Sequence, residues 1–252
     1  MKKPVEKICR VVAGTVLAAS VAANAVAAEM TVSAAASLTD AFGEMKTLFE
    51  KAHPGLTVNT NFAASNRLLK QLTEGAPADV FASADQQTMD KAVAAEVVDP
   101  ATRRDFALND LVLIVPKGAQ KPASLEDLKG MKRIAIGNPD SVPVGRYTRD
   151  ALTAAGLWEA LLPECVLAAS VRQALAYVAR GEADAGFVYR TDAQQMGDKV
   201  DIALVVGGHE PVLYPIAVAT TGTNPAAGQE FIDFVLSPEG QQVLARYGFS
   251  KP

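Results

Sequence analysis

Two serines, Ser37 and Ser65, stand where hydroxyl groups could bind an anion. Each follows an apolar, strand-like segment and small residues, and each opens an amphipathic helix. A helix start has free backbone N–H groups and the positive end of the helix dipole, so it can hold an anion without a metal ion or a catalytic base. One such serine is usually an N-cap for its own helix, but two in one predicted unit favour an oxyanion site.

Three residues in the second half of the chain extend this pattern. Val144 and Val171 also open helices after strands, and only their backbone N–H groups could serve a ligand because their side chains are inert. Tyr189 ends a strand and carries a phenol that could donate a hydrogen bond. Core packing is the ordinary role of all three residues, so their pattern alone leaves both interpretations open.

The sequence gives little support to an enzyme. It contains no G-x-S-x-G, H-E-x-x-H or P-loop motif. Its two histidines, His53 and His209, adjoin Pro and Gly and are predicted to be solvated turn residues. A serine activated by lysine stays open as an alternative, but no spacing selects one. We therefore predict a binding protein that is not an enzyme and has no cofactor.

Strand-like and helix-like segments alternate, which predicts an α/β fold. We expect lobe I to comprise residues 29–109 and 218–252 and lobe II to comprise residues 110–217, with extended crossings at 111–116 and 213–219. Ligands of open α/β sheets bind at the carboxyl ends of strands. A site in the cleft between two lobes that close around the ligand is therefore predicted.

Residues 1–28 are predicted to be a cleaved signal peptide. An apolar segment at 11–26 follows a basic start, and a small-x-small cleavage pattern lies at 25–27, with 26–28 as an alternative. Removing four basic residues and one acidic residue changes the net charge from −4 to −7. So acidic a chain is a poor candidate for binding nucleic acid. Cys165 is then the only cysteine, and we interpret it as an inert core thiol, with an exposed reactive thiol as the alternative.

Several segments together resemble the periplasmic molybdate-binding proteins of ABC importers. In order along the mature chain they are AASLT (35–39), FAAS (62–65), GAPADV (75–80), VPVG (142–145), VRQAL (171–175), VY (188–189) and RYGF (246–249). The resemblance implies the two-lobed periplasmic-binding-protein fold of type II. It also implies a monomer in the periplasm that binds molybdate or tungstate and delivers it to a membrane permease.

The resemblance also implies a set of ligand-binding residues. Ser37 and Ser65 would bind through hydroxyl and N–H groups, Val144 and Val171 through N–H groups, and Tyr189 through its phenol. A tetrahedral dianion offers only acceptors, so such a set of donors suits it. A receptor for another oxyanion, such as sulfate, is the nearest alternative, and a phosphoester hydrolase that uses Ser37 is the alternative from another class.

The chain departs from the family pattern near the predicted site. Val144 stands where we expect a smaller residue, and Arg67, Arg146 and Arg190 adjoin site segments. All three arginines are interpreted as a solvated rim whose stems cover apolar surface. For Arg146, two residues beyond Val144, the alternative is an outer positive charge that strengthens anion binding and makes it salt-dependent.

Overall fold

The computed structural model describes residues 28–252. The predicted signal peptide lies outside this range except for Ala28, which begins the first strand. The strands in chain order are β1 (Ala28–Ala35), β2 (Leu56–Ala63), β3 (Val80–Ala82), β4 (Arg104–Asn109), β5 (Leu111–Pro116), β6 (Ile134–Gly137), β7 (Cys165–Ala168), β8 (Ala185–Tyr189), β9 (Val200–Val205) and β10 (Val212–Val218). The α-helices are α1 (Thr39–Ala52), α2 (Ser65–Thr73), α3 (Gln86–Ala94), α4 (Pro143–Ala154), α5 (Trp158–Leu161), α6 (Val171–Ala179), α7 (Arg190–Gln195), α8 (Pro225–Leu236) and α9 (Pro238–Arg246). Short 3-10 helices occupy Ala36–Leu38, Pro100–Thr102, Leu125–Gly130 and Leu162–Glu164.

The strands of residues 28–252 form two five-stranded sheets of the same design. The order is β2-β1-β3-β10-β4 in lobe I and β7-β6-β8-β5-β9 in lobe II. In each sheet three strands run parallel, and the fourth in the order pairs antiparallel with both of its neighbours. The α/β fold class expected from the sequence is confirmed.

The chain passes between the sheets twice. It leaves lobe I at Asp110, between β4 and β5, and returns through residues 206–211 before β10. Since β10 pairs with β3 and β4 over Val212–Val218, the return lies before Val212. The expected boundary at residues 217 and 218 therefore falls too late, because an apolar strand gives no sign of which sheet it joins.

Local sequence explains the boundaries of the helices in lobe I. On α1 the buried residues include Phe42, Met45 and Phe49, which recur at helical spacing. The turn after α1 contains Gly55 at φ +93, a conformation that favours glycine. The helix begins at Thr39 rather than at Ser37, because a 3-10 turn precedes it and the Thr39 hydroxyl donates to the Ala36 carbonyl (2.7 Å).

The last two helices pack on lobe I, as the sequence analysis expects. Phe231 on α8 lies edge-on to Phe42 and Phe49 of α1. Asp79, from the GAPADV segment, joins this region to the sheet: its carboxylate accepts from the N–H groups of Thr31 (2.7 Å) and Asn224 (2.6 Å). Asp79 therefore has a structural role, and it keeps the start of α8 next to β1.

Strand β4 is not predicted from the sequence. Arg104 and Asp105 open it and are exposed, whereas Phe106 and Ala107 are buried. This mixture lacks the regular alternation of a half-buried strand. Pairing with β10 stabilises it in the structure.

Among residues 28–252, no helix has both the length and the apolar character that crossing a lipid bilayer requires.

Candidate anion-binding site

A small cavity lies between the two lobes and is lined by all five residues predicted from the sequence. Its empty volume is about 200 Å³. The lining residues are Ala35, Ala36, Ser37, Ala64, Ser65, Ala84, Val142, Pro143, Val144, Val171 and Tyr189. The cavity therefore suits a small ligand that contacts both lobes.

Two helix starts bring lobe I to the cavity. Strand β1 leads through Ala35 and Ala36 to Ser37, and β2 leads through Ala64 to Ser65, the first residue of α2. Because these alanines are small, they leave the main chain and the serine hydroxyls near the ligand space. Both serines are buried. The strand–small–serine–helix pattern in the sequence thus corresponds to two converging helix starts.

Two helix starts also face the cavity from lobe II. Val144 is the second residue of α4, after β6, and Val171 is the first residue of α6, after β7. First-turn N–H groups have no partner within their own helix. Gly145 sets the position of α4, because a Cβ atom there would lie 2.0 Å from the Gly137 carbonyl oxygen. Only glycine allows this start to sit so close to β6.

The hydroxyl of Ser37 takes part in a chain of hydrogen bonds. The Asn109 side-chain amide donates to Tyr214 Oη (3.3 Å) and to Thr191 Oγ1 (2.9 Å), and Tyr214 Oη lies 2.9 Å from Ser37 Oγ. Since Tyr214 Oη accepts from Asn109, its own hydrogen is available for Ser37 Oγ. The hydrogen of Ser37 is then left to donate into the cavity.

Ser65 has the same property by a different route. Its Oγ accepts a hydrogen bond from the backbone N–H of Ala84 (3.0 Å). A hydroxyl group has one hydrogen and two acceptor lone pairs, so this bond occupies an acceptor position and leaves the hydrogen free. Both serines of lobe I are therefore arranged to donate.

Tyr189 supplies a third hydroxyl. Its side chain is buried, and Tyr189 Oη has no hydrogen-bond partner among the described residues. Burial is the main reason that the pKa values of Tyr189 and Tyr214 lie well above the usual value for tyrosine. Both phenols stay protonated at neutral pH and act as donors. A buried donor without a partner is costly, and an oxyanion in the cavity would satisfy it.

The three arginines near the predicted site differ from one another. Arg67 is exposed, and Arg190 is half-buried and pairs with Asp110 (2.7 Å) at the first crossing. Arg146 is only 8% exposed and pairs with Asp85 of lobe I. The solvated-rim interpretation is therefore wrong for Arg146. Since Asp85 neutralises it, the structure gives no support to an unpaired outer charge.

A second ion pair crosses the cleft beside Val171. Arg172 donates to Asp40 of lobe I (2.6 Å), and its Nε lies 2.5 Å from Oδ1 of Asp192, which follows Tyr189 by three residues. Asp192 is fully buried, and burial raises the pKa of its carboxyl to about 6 although Arg172 lowers it. The charges next to the cavity are thus arranged in pairs.

Sequence reasoning missed Tyr214 and Asn109, which orient the Ser37 hydroxyl, and the pairing of Asp85 with Arg146, although the sequence predicts Asp85 as the N-cap of α3. Tyr214, Asn109 and Asp85 lie far along the chain from the residues that they contact, so spacing could not reveal their contacts. The one available signal was the phenol of Tyr214 within the apolar segment 213–219, because a buried tyrosine hydroxyl usually has a partner.

The other groups that could do chemistry lie outside the cavity. His53 stacks on Phe49 (ring centroids 4.0 Å apart), and His209 contacts the backbone carbonyls of Val206 and Glu210. Burial raises the pKa of the half-buried Cys165 thiol to about 11, so the thiol stays protonated at neutral pH. Within residues 28–252, no cluster of three or more His, Cys, Asp or Glu residues could hold a metal ion.

The fold and the cavity define a two-lobed periplasmic binding protein of type II. The chain belongs to the family of bacterial extracellular solute-binding proteins, whose sequence model matches residues 30–250. It is 41% identical to the molybdate-binding protein ModA of Escherichia coli over 248 residues, which cover 94% of this chain and 96% of that protein. The resemblance to the molybdate-binding proteins is thereby confirmed.

Two solved structures share the fold. The periplasmic molybdate-binding protein of Azotobacter vinelandii superposes with a TM-score of 0.77 at 26% identity, covering 88% of this chain and 99% of that one. The sulfate-binding protein SubI of Mycobacterium tuberculosis gives 0.75 at 18% identity, covering 89% and 87%. At that lower identity the likeness concerns the fold alone, so the fold does not select between the two anions.

Proposed function

We propose that this protein is the periplasmic substrate-binding component of an ABC importer. It binds molybdate, and also tungstate, between its lobes and delivers the anion to a membrane permease. The predicted signal peptide supports export to the periplasm.

The observation that carries this proposal is that the cavity presents hydrogen-bond donors. Ser65 Oγ accepts from the Ala84 N–H, Ser37 Oγ is hydrogen-bonded to Tyr214 Oη, which has a hydrogen to donate to it, and Tyr189 Oη has no partner among the described residues. The N–H groups of Val144 and Val171 add to this set. Helix dipoles distribute the compensating charge, so a dianion needs no direct contact with Lys or Arg.

Such a cavity discriminates between oxyanions in two ways. Phosphate carries a proton at neutral pH, and a set of donors provides no acceptor for that proton, which is left unpaired. Sulfate is a dianion like molybdate, so it must be distinguished by size. The distance between the closed lobes sets that size.

A phosphoester hydrolase that uses Ser37 receives little support. The side chain hydrogen-bonded to Ser37 Oγ belongs to Tyr214, whose raised pKa makes it a donor rather than a base. A hydrolase would release product from a chromogenic phosphate ester and lose that activity in Ser37→Ala. A receptor would show no turnover, and its melting temperature would rise with its anion.

Isothermal calorimetry with molybdate, tungstate, sulfate and phosphate in one buffer tests the proposal. We expect tight binding of the first two anions and weak or no binding of the others. Tyr189→Phe removes one donor to a charged ligand and should weaken molybdate binding about 10- to 150-fold.

Tyr147→Phe is the matched control for that variant. The Tyr147 ring packs edge-on against Tyr189 (centroids 6.5 Å apart) but does not line the cavity, so this variant should bind like the wild type. Tight binding of sulfate with no response to molybdate would refute the proposed function. Equal affinities of the two phenylalanine variants would refute the role of Tyr189 and leave the proposed function standing.

A further inference from the structure

Arg146 reaches from α4 of lobe II to a carboxylate of lobe I. Its Nε donates to Asp85 Oδ2 (2.9 Å), its Nη2 donates to the same oxygen, and Nη2 also donates to Thr88 Oγ1 (2.8 Å). The side chains of Arg146 and Asp85 are only 9% and 5% exposed. This contact between the lobes is therefore nearly free of solvent.

The two oxygens of Asp85 have different tasks. Oδ1 accepts from the backbone N–H of Thr88 (3.1 Å) and thereby caps α3 within lobe I. Oδ2 accepts from Arg146 of lobe II. Because the cap fixes the carboxylate in its own lobe, Oδ2 is held ready for a partner that arrives when the cleft closes.

The contact continues back into lobe II. The Thr88 hydroxyl donates to Asn66 Oδ1 (2.8 Å), and Asn66 Nδ2 donates to the Asp140 carbonyl (3.0 Å). Asn66 directly follows Ser65, and Arg146 lies two residues after Val144. The network therefore joins the lobes beside one donor from each of them.

We propose that Asp85, Thr88 and Arg146 form an interlobe clasp that slows release of the bound anion. This inference rests on the proposed function. The clasp residues line none of the anion cavity, so Arg146 is a positioning residue that acts through the start of α4. Rotation about the two crossings would separate Arg146 from Asp85 and return both charges to water. The clasp therefore stabilises the closed state.

The clasp and a free positive charge have different consequences. A free charge at Arg146 would act over long range, speed association and weaken with salt. Within the clasp the charges of Arg146 and Asp85 cancel, so the effect is short-range and depends on hydrogen-bond geometry. Breaking such a buried pair acts on the dissociation rate.

The experiment measures association and dissociation rates by stopped-flow fluorescence at two salt concentrations. The anion used is whichever of molybdate, tungstate and sulfate the wild type binds most tightly. If that anion is sulfate, the proposed function is overturned, but the rates measured with sulfate still test the clasp. The variants are Arg146→Met, which removes the charge, and Arg146→Lys, which keeps it but loses the planar guanidinium.

We expect Arg146→Met to raise the dissociation rate about 30-fold or more, with little change in the association rate. Arg146→Lys should also release the anion faster. Asp85→Asn retains an N-cap acceptor for α3 and should resemble Arg146→Met. Combining Asp85→Asn with Arg146→Met should raise the dissociation rate little further, because the two residues form one contact.

Arg149→Met is the matched control. Arg149 is on the same helix, is 40% exposed on its side chain and has its nearest carboxylate in Asp150 (3.8 Å), so its removal should leave both rates unchanged. Melting temperatures of the ligand-free variants should stay close to the wild type. A wild-type dissociation rate in Arg146→Met would overturn the clasp. So would a wild-type dissociation rate in Arg146→Lys together with association in both methionine variants that is slower than in the wild type at low salt and equal to it at high salt.

Discussion

The two lobes share one topology but present different chemistry to the same cavity. In each lobe, two neighbouring strands at one edge of the sheet each lead to a helix start that lines the cavity. These strands are β2 and β1 in lobe I and β7 and β6 in lobe II. In lobe I these positions are Ser37 and Ser65, and in lobe II they are Val144 and Val171. Equivalent backbones thus provide hydroxyl groups on one side and main-chain N–H groups on the other.

This difference teaches where the sequence is constrained. In lobe I the side chain itself donates, and protein groups such as Tyr214 and the Ala84 N–H direct its hydrogen towards the cavity. In lobe II the valine side chains are buried in the core, and in the proposed function only their backbone N–H groups would bind the anion. Side-chain identity should therefore matter in lobe I, and backbone conformation in lobe II.

Removing a backbone donor in lobe II should weaken binding as much as removing a hydroxyl donor in lobe I. Val171 is the first residue of α6, where proline fits the helix, and Ser170 before it has the extended conformation that proline favours (φ −161, ψ 164). Val171→Pro should fold but lose one N–H donor. We expect calorimetry to show molybdate binding about 10- to 150-fold weaker.

Val171→Ala is the control for that change. It keeps the N–H group and shortens only the side chain, so its affinity should stay within about 3-fold of the wild type. Similar losses in both variants would mean that the valine side chain, and not its backbone, serves the ligand. The contrast between the lobes would then be wrong.

A smaller effect is expected from the group that orients Ser37. Tyr214→Phe leaves the Ser37 hydroxyl in place but removes its partner, a hydrogen bond between neutral groups worth about 0.5–1.5 kcal/mol. Molybdate binding should weaken about 2- to 10-fold, whereas Ser37→Ala should weaken it about 10- to 150-fold. Calorimetry on both variants and their double mutant checks this order. Additive losses in the double mutant would contradict a role of Tyr214 through Ser37.

The last expected effect is on stability rather than on binding, and it concerns Asp192, the paired charge near Tyr189 in lobe II. The pKa of Asp192 is about 6 in the folded protein and about 3.9 in an unfolded chain. Between these values the folded state binds more protons, so this group makes the protein more stable as the pH falls from 7 to 4. The gain in the free energy of unfolding is at most about 3 kcal/mol.

Urea unfolding of the wild type and Asp192→Asn at several pH values isolates that contribution. Other carboxylates, such as Asp184 with its lowered pKa, contribute less to the free energy of unfolding as the pH falls. They are present in both proteins, so their contributions cancel in the difference. The wild type should gain stability relative to the variant on acidification. A difference that does not change with pH would contradict the raised pKa.

The sequence predicts the cavity better than its surroundings. Each of the five predicted residues stands at a strand end or helix start, which is a local property of the chain, and the resemblance to the molybdate-binding proteins added the ligand role that the pattern alone left open. The prediction for Arg146 was wrong because its role depends on Asp85, 61 positions away. Tyr214 was missed because its role depends on Ser37, 177 positions away. Strand β4 was missed because its partner β10 follows more than a hundred residues later.

The placement of β10 has a consequence for the order in which the molecule is made. All five strands of lobe II lie between Leu111 and Val205, whereas the sheet of lobe I needs β10 between β3 and β4. During synthesis from the N-terminus, lobe II can fold as soon as it emerges, because domains generally fold as units. Lobe I cannot complete its sheet until β10 has also emerged, so its β3 and β4 lack the neighbour that they share for longer than any strand of lobe II lacks one.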